Sequence, residues 1–154
     1  MSEDANRTWV QRYFDEVTNK GNLDLADELF AVDYVHHDPA NPDPHGVVGV
    51  EDVKRHLKEL LDAFPDMQFL VDDVISEGDD VVARWTATLT HTGDYFGIPP
   101  TNKPATITGM TRARSDGRAS VGRFRRIDSG SAFTIPAWYP PRIICIRAGH
   151  QPRG

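Results

Sequence analysis

Imidazoles are the side chains whose ordinary pKa lies near neutral pH, so histidines are the first place to look for proton transfer. His91 closes an alternating run, VVARWTATLTH at residues 81–91. Val81, Ala83, Trp85, Ala87, Leu89 and His91 share one parity, and Val82, Arg84, Thr86, Thr88 and Thr90 the other. Side chains alternate across a strand, so His91 is the one ionisable group of this run on its apolar side. After it come Thr92-Gly93-Asp94, the aromatic pair Tyr95-Phe96, and Gly97-Ile98-Pro99-Pro100-Thr101, a loop that its prolines stiffen. An imidazole ending an apolar face beside a stiff aromatic loop suits the rim of a small-molecule pocket. A structural hairpin with a satisfied histidine uses the same residues. His36 and His37 are neighbours, so on a strand they face opposite sides and only one can reach an interior. Trp85 shares His91's parity and is the foremost candidate for a pocket wall, with an indole N–H that seeks a partner. Tyr34, Phe64 and Phe96 are further aromatic candidates for that wall, the core being their other natural place.

Other chemistries fit less well. His36, His37, Asp38 and His45 can each bind a metal, but their spacing matches no standard site, so no metal is expected. There is no Gly-x-Ser-x-Gly elbow and no Gly-rich phosphate loop, so neither a nucleophilic serine nor a nucleotide cofactor is expected. Cys145 is the one cysteine, which excludes an intrachain disulfide and suits a reducing compartment, the cytoplasm. The start, MSEDANRTWV, carries no apolar signal core, and no stretch approaches the roughly 20 apolar residues of a membrane span. The net charge of −6 argues against a nucleic-acid surface. That charge is uneven: residues 1–111 carry 8 Lys+Arg against 21 Asp+Glu, net −13, and residues 112–154 carry 9 Arg against 2 Asp, net +7.

The elements that must position these residues follow from periodicity. At 154 residues one domain with a real core is the natural expectation. Trp9, Val10, Tyr13, Phe14 and Val17 form a helical stripe over residues 6–19, ended by Gly21. A short second helix runs to Phe30. Val50, Val53, Leu57, Leu60, Leu61 and Phe64 mark a third helix from Gly49 to about Ala63, with Pro65 after it. Residues 34–39 are short and β-prone, and 39–46 are a proline-rich loop. The pattern then turns to strands at 67–76, 81–91, 105–114 and, weakly, 118–128, with turns at 77–80 and 115–117. Helices followed by an antiparallel meander predict an α+β domain with helices over one face of a curved sheet. Residues 129–154, rich in Arg, Pro and Gly, read as a tail, with RIICIR at 142–147 as a short strand.

Several pieces together resemble the SnoaL-like polyketide cyclase or ester cyclase family, within the nuclear transport factor 2-like superfold. They are LADELF at 25–30, DYVHHDP at 33–39, GVE at 49–51, AFPD at 63–66, EGDDVVARW at 77–85 and, most specific, THTGDYFGIPPT at 90–101, followed by Gly109. The resemblance spans about residues 9–117. It implies an α+β cone with a deep apolar cavity, occupying residues 1–128, and an apolar small-molecule substrate. The chemistry implied is a cofactor-free intramolecular aldol closure of a polyketide ester, in which a side-chain acid/base moves the proton. By the family pattern His37 is the histidine of its pair expected in the cavity, and Asp128 lies near the acid/base position of the last strand. Homodimers or higher oligomers through the outer sheet face are also implied. The same cone can serve a non-catalytic ligand-binding protein, or an epoxide hydrolase or hydroxylase-type relative. After Gly117 the chain departs from the family: Val121 and Arg123 stand where a Glu and a Trp are the rule. Translation in a shifted reading frame would produce such a break together with a tail whose basic residues are all arginine; the alternative is a genuinely divergent end that closes the cavity differently, and sequencing the coding DNA decides between them.

Overall fold

The computed structural model describes residues 3–37, 47–95 and 97–115, and the backbone of 124–132. Helix α1 (Glu3–Gln11) continues as a π-helical stretch (Arg12–Thr18). Its stripe is buried as its spacing predicts, with Trp9, Val10, Phe14 and Val17 in the core and Tyr13 stacked on Trp9 at 5.2 Å. Gly21 takes a φ of +70°, the left-handed value that ends a helix at little cost for glycine. A 3₁₀ turn (Leu23–Leu25) leads into the four-residue α2 (Ala26–Leu29). The second helix therefore stops one residue before Phe30, which opens strand β1 (Phe30–His37). Strand β2 (Val47–Val48) precedes α3 (Gly49–Ala63). Then follow β3 (Gln68–Glu77), β4 (Asp80–Thr90), β5 (Pro104–Ser115) and β6 (Phe124–Ala132).

The six strands among the described residues form one sheet in the order β2-β1-β6-β5-β4-β3. The pairs β3–β4, β4–β5 and β5–β6 are the expected antiparallel meander. The closure was not in the sequence pattern: β1 joins the sheet parallel to β6. A pairing between residues some 90 positions apart leaves no local signature, since each strand's periodicity records only its own two faces. β6 lies further along the chain than the weak fourth strand, and residue 128, the expected end of the domain, falls inside it. The expected strand at 142–147 lies outside the described residues.

Burial in β4 follows the predicted alternation: Val81, Ala83, Trp85, Ala87 and Leu89 are buried, and Arg84 and Thr88 are exposed. Helices and sheet enclose two apolar clusters. The larger gathers Trp9, Phe14, Phe30, Tyr34, Val53 and Trp85 among others. The smaller lies at the other end of β4 and holds Ala63, Phe64, Met67, Leu89, Tyr95 and Ala105. This is the α+β cone, helices on one face of a sheet, that the order of elements predicts.

Candidate active site

His91 sits just beyond the last residue of β4 and is 2% exposed. Its backbone is pinned on both sides: its N–H donates to Lys103 O (3.2 Å), and its carbonyl accepts from Asn102 N–H (2.8 Å). These bonds prolong the β4–β5 ladder past its last pair, Thr90 and Pro104. The ring packs against Phe64, centroids 5.3 Å apart, and Phe64 in turn meets Tyr95 at 5.3 Å. Thr101 Oγ1 lies 3.3 Å from His91 Nδ1. Nε2 is buried and has no hydrogen-bond partner among the described residues. A buried imidazole nitrogen without a partner costs free energy, and such a group is a place to look for a ligand.

The last residue of α3, Ala63, and Asp66 in the turn after it hold the residues on either side of His91. Asp66 accepts from Thr90 N–H (2.7 Å) through one oxygen and from the Thr90 hydroxyl (2.6 Å) through the other. The hydroxyl bond most of all, helped by the backbone N–H and opposed by partial burial, holds the Asp66 carboxyl below the usual carboxylate range. The Ala63 carbonyl accepts from both Thr92 N–H (3.1 Å) and Gly93 N–H (3.0 Å), so the loop caps a carbonyl that the helix end leaves without an intrahelical partner. Gly93 packs so closely that a Cβ there would run into the Asp62 carbonyl oxygen.

Of the expected wall residues, Phe64 is brought to His91. Trp85 is buried on the same strand face, its indole N–H donating to Thr111 Oγ1 (2.9 Å) and its ring meeting Phe69 at 5.0 Å. Six residues of strand separate it from His91, about 20 Å at the usual rise, and it belongs to the larger apolar cluster. Tyr34 is buried in that cluster too, edge-on to Phe30 at 4.6 Å. Phe96 lies outside the described residues.

Of the adjacent histidines, His36 is half-buried and His37 exposed. Strand alternation explains it: buried Tyr34 shares parity with His36, whose ring lies 6.3 Å from it. So the inward member of the pair is His36, where the family pattern favours His37. His36 also meets His56 of α3, centroids 6.0 Å apart and nearly perpendicular. His56 is 7% exposed, and the sequence reading passed it over. The signal was present, since His56 falls between Val53 and Leu60 on the helix's buried stripe. Thr101 left no such signal, because only the fold of the loop brings it to Nδ1.

For Asp128 the backbone register is the observation. Position 128 pairs with Arg112 on β5 and with His37 on β1, and both of these are exposed. The buried row of the sheet at that level runs through Ala113, whose partner on β6 is position 127. Among the described residues no three metal-capable side chains come together. Asp38 and His45 lie outside those residues. An open depression of about 480 Å³ is lined by Glu77, Gly78, Asp79, Asp80 and Arg114. It is charged and lies at the opposite end of β4 from His91, so it is not the apolar pocket that the sequence leads one to expect. No helix among the described residues is long and apolar enough to cross a membrane.

Known proteins share this architecture. A candidate polyketide cyclase from Acidithiobacillus ferrooxidans is 30% identical, with a TM-score of 0.70 over 85% of this chain and 91% of that one. IdmH, a candidate polyketide cyclase from Streptomyces antibioticus, is 29% identical, with a TM-score of 0.65 over 81% and 90%. AclR, a candidate hydroxylase from Streptomyces galilaeus, is 23% identical, with a TM-score of 0.68 over 85% and 77%, a likeness of fold. No protein with a curated description matches the chain. The model of the SnoaL-like polyketide cyclases matches residues 8–119, which hold every piece of the resemblance from LADELF to Gly109. With the sheet order and the loop around His91 already in view, that match means that the chain belongs to the SnoaL-like polyketide cyclase family.

Proposed function

We propose that this protein is an acid/base enzyme of the SnoaL-like cyclase type. In this reading His91 moves a proton on an apolar, carbonyl-bearing small molecule, closing a ring in a polyketide ester or isomerising a related ketone, without a cofactor. One observation carries it: an imidazole buried against Phe64, with one nitrogen engaged by Thr101 and the other unpaired among the described residues. Nε2 takes the proton from a carbon beside a carbonyl, leaving an enolate. The enolate carbon attacks a second carbonyl of the same molecule and forms the C–C bond. The resulting alkoxide takes the proton back from the imidazolium, so the step is an isomerisation and needs no second reagent. The likeness to candidate polyketide cyclases at 29 and 30% identity supports the same class of substrate.

The test is turnover of a polyketide methyl ester by wild type, His91→Ala and Asp128→Asn. Loss of a general base costs on the order of a hundredfold or more; that fall is expected for His91→Ala. Asp128→Asn tests the acid/base position of the last strand, which the backbone register sets opposite Arg112 and His37; a fall as large as that of His91→Ala would give Asp128 a share in the proton transfer. An unchanged rate in His91→Ala removes His91 from the chemistry. A second reading, a non-catalytic ligand-binding protein on the same cone, is favoured by the exposure of His37, which the family pattern expects in the cavity. Binding of the ester without turnover would establish it. In either reading the protein works in the cytoplasm, where Cys145 stays reduced, and pairs through its outer sheet face, which exposes Leu70, Ile75 and Met110.

A further inference from the structure

We propose that Thr101 is a positioning residue that fixes the tautomer of His91: Nδ1–H donates to Thr101 Oγ1, and Nε2 is held as a bare lone pair. This deepens the acid/base reading, since only that tautomer can accept a proton at Nε2.

The geometry leaves two arrangements for the 3.3 Å contact between Thr101 Oγ1 and His91 Nδ1. If the hydroxyl donated, the ring proton would sit on Nε2, a buried N–H with no acceptor among the described residues. Buried N–H groups are rarely left so, whereas acceptors are left under-satisfied more often. If Nδ1–H donates instead, Thr101 accepts. Thr101 is only half-buried, so its hydroxyl proton can turn to solvent while the oxygen faces the ring, a choice open to a hydroxyl. The second arrangement satisfies every donor.

The backbone is shaped to bring Thr101 to this place. Asn102 has a φ of +55°, the left-handed region, and no other non-glycine among the described residues shares it. Asparagine tolerates this region better than most residues. The turn lets Asn102 N–H reach the His91 carbonyl while His91 N–H reaches Lys103 O, and it brings Thr101 to the imidazole edge. A backbone outlier next to a buried, half-paired imidazole points to a function for the outlier. The ring cannot turn away freely, because Phe64 packs against it and Ala63 and Asp66 hold both its flanks.

The test reads the ring itself and needs no substrate. Two-bond 1H–15N correlation spectra are recorded on the whole chain, wild type, Thr101→Val and Thr101→Ser, at alkaline pH. The His91 signals are assigned by their loss in His91→Ala. The expected wild-type pattern is a pyrrole-type Nδ1 and a pyridine-type Nε2. Thr101→Val should lose that pattern, and Thr101→Ser should keep it. A mere packing role for Thr101 would change stability without moving the nitrogen shifts. A wild-type Nε2 of pyrrole type overturns the proposal, as does a Thr101→Val spectrum matching wild type. Should Thr101→Val not fold, the wild-type and Thr101→Ser spectra still decide it. Absence of ester turnover would sink the catalytic reading and leave these signals readable, so the two failures are distinguishable.

Discussion

At the scale of single residues, the candidate site depends on how close a helix end comes to a loop. Gly93 is the residue that permits it: any side chain there collides with the backbone of Asp62, which cannot move without unwinding α3. Overpacking of this kind typically costs about 1–3 kcal/mol. Gly93→Ala should lie at the upper end of that range in urea unfolding and should also broaden the His91 signals. A variant as stable as wild type would mean that the loop does not rest on α3 in this way. Asp66 acts from the same turn through Thr90, and Phe64 supplies the ring on which the imidazole lies. His91 was legible as the inward end of an apolar strand face. Phe64 was a wall candidate as well, but its contact with the ring was not legible, nor was that of Thr101: they sit 27 residues before His91 and 10 after it, and their meeting depends on where α3 ends and how the proline loop turns back.

Among the elements, the β4–β5 pair carries the most testable ion cluster. Asp80 opens β4 and meets Arg114 Nη2 at 2.9 Å and Arg112 Nε at 3.2 Å, across from its register partner. Hydrogen bonding from Arg114 is the chief cause that holds the Asp80 carboxyl at about 2, with burial opposing it and Arg112 adding to the effect. A carboxyl whose pKa is lower when folded contributes stability that is fully present above its ordinary value of 3.8 and is lost as pH falls toward about 2. Both arginines are more than a third exposed, so solvent screening reduces the contribution to about 1 kcal/mol. Asp80→Asn should therefore be about that much less stable than wild type near neutral pH, with the gap closing between pH 3.8 and about 2. A gap that persists unchanged at the acid end would show that the carboxylate is not its source. The alternation of β4 and the stripe of α3 were readable from the sequence because each is a local period. The parallel pairing of β1 with β6 was not, and it is this pairing that sets position 128 beside His37.

For the molecule as a whole, the outer sheet face is where the proposed contact between two copies would form. Leu70, Ile75 and Met110 stand on it at 66, 66 and 56% exposure, in rows whose neighbours include Thr86, Val82 and Arg84. Sedimentation should find a dimer, and Met110→Glu with Ile75→Glu should give a monomer that keeps its fold, since neither side chain is buried. A wild-type monomer at working concentration would remove the proposed pairing. The family match ends at residue 119, two residues after the family pattern breaks at Gly117. The physical basis for an α+β cone was thus present in local periods, in turn residues and in the loop motif at residues 90–101. These are short-range properties, set by which face of a helix or strand a side chain occupies. Which histidine of a neighbouring pair turns inward, which residues touch His91, and which strand β1 pairs with were decided only in three dimensions. Each depends on register and close approach between segments far apart in the chain, and no period of 2 or 3.6 residues encodes that.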